Sequence, residues 1–73
     1  MSSRDDDAIA AAFARCFRGA DGERVLAYLR RLTIERRTVP DASEAELRHL
    51  EGQRHLVAMI ALLVDRGRFG ASH

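Results

Sequence analysis

Lysine is absent from this chain, cysteine and proline occur once each, and no apolar run exceeds nine residues. Each shortage excludes something. Cys16 alone cannot form an intramolecular disulfide, the usual staple of small secreted domains, so a reducing compartment, or a particle assembled in one, is expected. On an apolar helical face it reads as a small core residue rather than a reactive thiol. The nine residues of "LVAMIALLV", Leu56 to Val64, fall short of the roughly 20 that cross a bilayer, and "MSSRDDDAIA" is acidic where an export signal is basic. A soluble chain is expected. Without lysine, the positive charge rests on twelve arginines, leaving a formal net charge of +1. Arginine favours bidentate contact with carboxylate or phosphate. The twelve alanines allow a plainer explanation, a GC-rich coding preference.

The chemistry-bearing motifs are also missing. There is no glycine-rich phosphate loop, serine nucleophile motif or zinc-binding cysteine pair. Glu46 and His49 have the Glu-x-x-His spacing of di-iron bundles, but those sites need two such pairs and further carboxylates on facing helices. Glu51 and His55 lie one turn apart, as exposed helical pairs often do without catalysis. His73 is terminal. Neither an enzyme, a cofactor nor a metal is expected.

What is present reads as one all-α domain, residues 1–73: a small three-helix domain with a long C-terminal helix, over about 5–18, 21–37 and 44–66. A chain of 73 residues buries only about 60% of its unfolded surface, so its core is thin. In the first helix Ile9, Phe13, Cys16 and Phe17 recur at three- and four-residue spacing, Asp5, Asp6 and Asp7 favour the helix dipole, and Gly19 offers a stop. In the second, Asp21 is the expected N-cap and Val25, Leu29 and Leu32 line one side, broadened by Leu26 and Thr33. Arg24, Arg30, Arg31 and Arg37 occupy the opposite surface, and Pro40 ends any helix before it. Ser43 and Glu46 have capping-box spacing at the third start, and Gly67 offers the stop. The expected core is Phe13, Phe17, Val25, Leu29, Leu32, Leu50, Val57 and Ile60.

Helix three changes character along its length. Leu47, Leu50 and Val57 form a stripe, whereas the segment beyond is apolar all round, and an all-round apolar helix must be covered all round. Leu56, Met59, Ile60, Leu62 and Leu63 are therefore candidate partner-binding residues, for a second copy or another protein. In the monomeric alternative the alanines and the terminal "RGRFGASH" cover them. Gly52 sits one turn before this segment, where glycine costs about 1 kcal/mol relative to alanine. Either helix one or two crosses closely there, or the helix kinks. The arginines of helix two, with Arg36, form a candidate nucleic-acid or acidic-partner surface, and the break at Gly19 and Gly22 permits a helix-turn-helix without diagnosing one.

Taken together, "AAFARCF", "DGERVLAYLRRL" and "EGQRHLVAMIALL" resemble a family of small tailed-bacteriophage proteins typified by a short Bordetella podophage protein. The likeness covers roughly Ala10 to Arg66. It rests on an aromatic-bearing first helix, an Asp-Gly step before Val-Leu, and a Glu-Gly-x-Arg step before a hydrophobic helix. The loop "TIERRTVPDAS" departs from the aromatic-containing loop of that family. The resemblance implies a gene among phage head and packaging genes and no enzymatic activity, with structural roles for Asp21, Gly22, Val25 and Leu26, and for Glu51, Gly52 and Arg54. The expected function is a small structural or assembly component of a phage or phage-derived particle. It would bind a head, portal or connector protein through helix packing, in the virion or, during assembly, in the bacterial cytoplasm. The alternative is a DNA-binding accessory protein for packaging or regulation.

Overall fold

The computed structural model describes residues 3–70 as three helices: α1 (Ser3–Cys16), α2 (Gly19–Leu32) and α3 (Glu44–Phe69). No strand occurs among the described residues, and none of their helices is long and apolar enough to cross a membrane. The sequence-based boundaries fall two to five residues off at several ends, each for a physical reason.

α1 gives way to the turn at Gly19, whose φ of 82° suits a residue without a side chain. α2 then begins at Gly19 itself, with Arg18 as an N-cap that provides no side-chain hydrogen bond. Asp21 therefore belongs to the first turn, where its charge meets the helix dipole, and is not the expected cap. At its other end α2 stops at Leu32, not at residue 37. The Thr33 hydroxyl donates to the Leu29 carbonyl at 2.7 Å, and the Glu35 amide wraps back to the Arg30 carbonyl at 2.9 Å. Those bonds consume the acceptors that a further helical turn would need.

α3 starts where Ser43 indicates. The Ser43 hydroxyl oxygen accepts from the Glu46 amide at 3.1 Å, but Glu46 returns its carboxylate to that hydroxyl, also at 3.1 Å, rather than to the Ser43 backbone amide. Half of the expected capping box forms. The helix passes through Gly67 and ends at Gly70, whose φ is 76°. Gly67 is no stop because it serves a crossing. A Cβ there would run into the Ala10 carbonyl and the Ala14 methyl of α1.

That crossing is the centre of the fold, and α1 packs on α3 far more extensively than α2 does. The buried apolar residues are Ala10, Leu50, Val57, Ala61 and Val64. Val64, at 1% exposed, contributes about 2 kcal/mol by its burial. Small side chains make the seam tight without making it large. Of the expected core, Leu50 and Val57 are buried, Phe13, Phe17, Leu29 and Ile60 are half-buried, and Val25 and Leu32 are exposed. Cys16 is exposed as well, not a core residue.

The correction at Val25 and Leu32 is a rotation of α2. Its inward stripe runs through Gly22, Leu26, Leu29 and Thr33, at spacings of four, three and four, with Gly22 and Thr33 buried. Gly22 sits inside because a Cβ there would meet the Phe17 backbone. The three helices spread into a plate of 45 × 32 × 17 Å with a radius of gyration of 14.7 Å. A compact domain of this length has a radius of gyration near about 11 Å. A plate this thin cannot enclose α3.

Candidate partner-binding surface

Two anchors fix the surfaces that α2 and α3 present. Arg54 supplies the first. Its Nε donates to the Thr33 carbonyl at 2.9 Å and its Nη2 to the Arg36 carbonyl at 2.6 Å, while Nη1 pairs with Glu51 at 3.4 Å. The Glu-Gly-x-Arg step thus places a guanidinium, oriented by a carboxylate one turn earlier, across the C-terminal end of α2 and the loop that follows. A cation at a helix C-terminus also meets the negative end of the dipole. Arg68 supplies the second anchor, donating to the Phe17 carbonyl at 3.4 Å and standing 3.9 Å from Glu23. Arg66 lies 3.8 Å from Asp7 of α1.

Held this way, α2 and α3 leave apolar side chains in solvent. On α3, Leu56 is 59% exposed, Met59 47% and Leu62 60%, whereas Ile60 and Leu63 are half-buried beside the seam. The five candidate partner residues are therefore divided between an outward face and its margin. Phe69 is 71% exposed, so it does not cover that face. On α2, Val25, Tyr28 and Leu32 form a second exposed apolar strip. Sequence reasoning took two of these for core and did not single out Tyr28. The signal was Gly22, whose spacing to Leu26, Leu29 and Thr33 marks the inward face and turns the Val25 side out.

Gly52 has open space where its side chain would be, with nothing within 4 Å. Neither α1 nor α2 crosses there. The close crossings are at Gly22 and Gly67 instead. The two glycines of the motifs thus differ: Gly22 is required by the α1–α2 turn, and Gly52 by nothing inside the monomer.

Arg24, Arg30, Arg31 and Arg37 are all exposed. They do not form one helical face, because α2 ends before Arg36 and Arg37, which enter the loop. Arg24 and Arg31 share a side of α2, with the Arg31 guanidinium 5.8 Å from the Tyr28 ring centroid. Arg30 lies on another side, near Glu23, Asp65 and Arg68. The positive charge is distributed and partly countered.

The titratable pairs have ordinary employment. His49 lies 3.3 Å from Gln53, Glu46 is taken by Ser43, and Glu51 by Arg54. Among the described residues no group of three or more His, Cys, Asp or Glu side chains comes together. His73 lies outside the described residues. A pocket of about 180 Å³ opens under the 36–39 loop, between Val39, Ala42, Leu47 and Leu50, with Glu46, His49 and Gln53 at its edge.

Among the described residues, large apolar side chains stand exposed on both α2 and α3. No curated protein and no solved structure matches the chain. A family model does, over residues 13–70, and the chain belongs to the family it describes, the Bbp19-like phage proteins.

Proposed function

We propose that this phage-family protein is a small structural or assembly component of a phage or phage-derived particle, binding a larger head, portal or connector protein through helix packing. The observation that carries this reading is the unfinished core. The chain exposes 5863 Å² of surface, against about 4,500 Å² for a folded monomer of its 8.2 kDa mass. The exposed apolar side chains include Val25, Tyr28 and Leu32 on α2, and Leu56, Met59 and Leu62 on α3. Apolar faces of this kind mark sites of association. The protein acts by contact, without catalysis or a cofactor, in the particle and in the bacterial cytoplasm while the particle assembles. The DNA-binding alternative draws on the exposed arginines and on the break at Gly19 and Gly22, and the division of the arginines between α2 and the loop gives a nucleic acid no single track to follow.

The test is to purify particles from cells that make the phage, separate full heads, empty heads and free protein on a gradient, and follow the chain by mass spectrometry. Fixed stoichiometry with a head, portal or connector protein is the expected result, and Tyr28→Glu is expected to abolish it. A chain found only as free protein at every stage of assembly would overturn the reading.

A further inference from the structure

We infer that the outer face of α3 pairs antiparallel with α3 of a second copy of this chain, on a two-fold axis at Met59. The inference refines the reading above by dividing the uncovered surface: α3 serves the second copy, and the α2 strip is left for the larger partner.

Four observations lead there. First, Gly52, Leu56, Met59 and Leu62 fall on the side of α3 turned away from Leu50, Val57, Ala61 and Val64, and α1 reaches that side only at its end, where Asp7 stands 3.8 Å from Arg66. Second, the face is self-complementary about Met59. Leu56 and Leu62 lie three residues to either side, so an antiparallel copy sets each against the other, and His55 likewise meets Leu63. Such reciprocity is what an isologous interface requires. Third, Gly52 and Arg66 lie seven residues to either side of Met59. The partner's long Arg66 side chain then crosses at the one position on this face that has no side chain, where nothing stands within 4 Å, and comes alongside Glu51. The register thus accounts for a helix glycine that the monomer leaves without a purpose, and it brings Arg66, 3.8 Å from Asp7 in its own chain, near the other chain's Glu51, whose side chain stays 73% exposed beside Arg54. Fourth, the surface excess of roughly 1,300 Å² per chain, shared between this face and the α2 strip, is large enough to include the about 800 Å² that each partner gives to a standard interface.

Cysteine substitutions in a Cys16→Ser background test the register. Under oxidation Met59→Cys is expected to cross-link to itself, Leu62→Cys alone is not, and a mixture of Leu56→Cys and Leu62→Cys chains is. Self-linking of Leu62→Cys would signal a parallel pair and overturn the inference. Sedimentation of the isolated wild-type chain is expected to give a dimer. Met59→Glu should raise its dissociation constant at least about a hundredfold while circular dichroism keeps the helix content. A wild-type chain monomeric at high micromolar concentration would end the inference. Such a chain still recovered in particles would leave the proposed function standing, so the two failures are distinguishable.

Discussion

α3 holds its two neighbours by different means, and the contrast accounts for most of the molecule's behaviour. Against α1 it offers small side chains and a missing one: Gly67 meets Ala10 and Ala14, Ala61 and Val64 are buried on the same helix, and the two backbones come close. Against α2 it offers guanidinium groups. Arg54 grips the carbonyls beyond Leu32, Arg68 reaches Phe17 and Glu23, and only Gly22, Leu26, Leu29 and Thr33 turn inward. A close-packed seam tolerates no added volume, because its neighbours are backbone. A seam of long charged side chains yields. α1–α3 is therefore the folded unit, and α2 is a tethered arm that carries an apolar strip.

The largest expected effect is at the tight seam. Gly67→Val should destabilise the chain by about 3 kcal/mol, since the Ala10 carbonyl cannot give way, and a thermal melt should find little cooperative unfolding left. A melting temperature close to wild type would mean that the seam is looser than the contrast requires. Next comes Arg54→Ala, which leaves the Thr33 and Arg36 carbonyls without their charged donor and should cost about 2 kcal/mol. Hydrogen exchange should show α2 and the following loop losing protection while α1 and the second half of α3 keep theirs. Equal loss everywhere would break the distinction between unit and arm.

Gly52→Ala sharpens it from the opposite direction. On the same helix as Gly67 but with open space around it, this position should gain about 1 kcal/mol in the monomer, measured by denaturant melts at low concentration. The smallest effect is expected on the arm's polar side. Replacing Arg30 and Arg31 together with glutamine should change stability by less than about 0.5 kcal/mol. The same variant decides the DNA alternative: phosphate contacts would make wild-type retention on DNA fall steeply with salt and the variant's less so, whereas no retention at low salt removes that alternative.

What the sequence made legible was local. Ser43 announced the start of α3, Gly19 the break after α1, and the family likeness seen on 10–66 corresponds to a matched stretch of 13–70. What stayed hidden depended on distant partners. The end of α2 at Leu32 is reinforced by Arg54, 21 residues from Thr33, so no local pattern announces it. The glycines of α3 looked alike as departures from helix propensity, yet only Gly67 faces a backbone, and which of them does so is decided by where α1 lands. Periodicity likewise found an apolar stripe on α2 but not its centre, because Val25 and Leu32 are as hydrophobic as residues that turn inward. The outward face of α3 was foreseeable from its all-round apolar character. Its division into exposed Leu56, Met59 and Leu62 and half-buried Ile60 and Leu63 was not.

The 17 Å thickness of the plate has a calorimetric consequence. Unfolding a monomer that already wets so much apolar surface hydrates little more, and both the heat-capacity increment and the denaturant m-value scale with newly wetted area. The increment should lie well below the roughly 1 kcal/mol/K expected of 73 residues in a compact fold, giving a stability curve that is low and nearly flat from cold to warm. Covering the plate restores the missing area to the transition. The heat-capacity increment per chain should then rise with protein concentration, turning a scanning calorimeter into a gauge of how much of the molecule is covered.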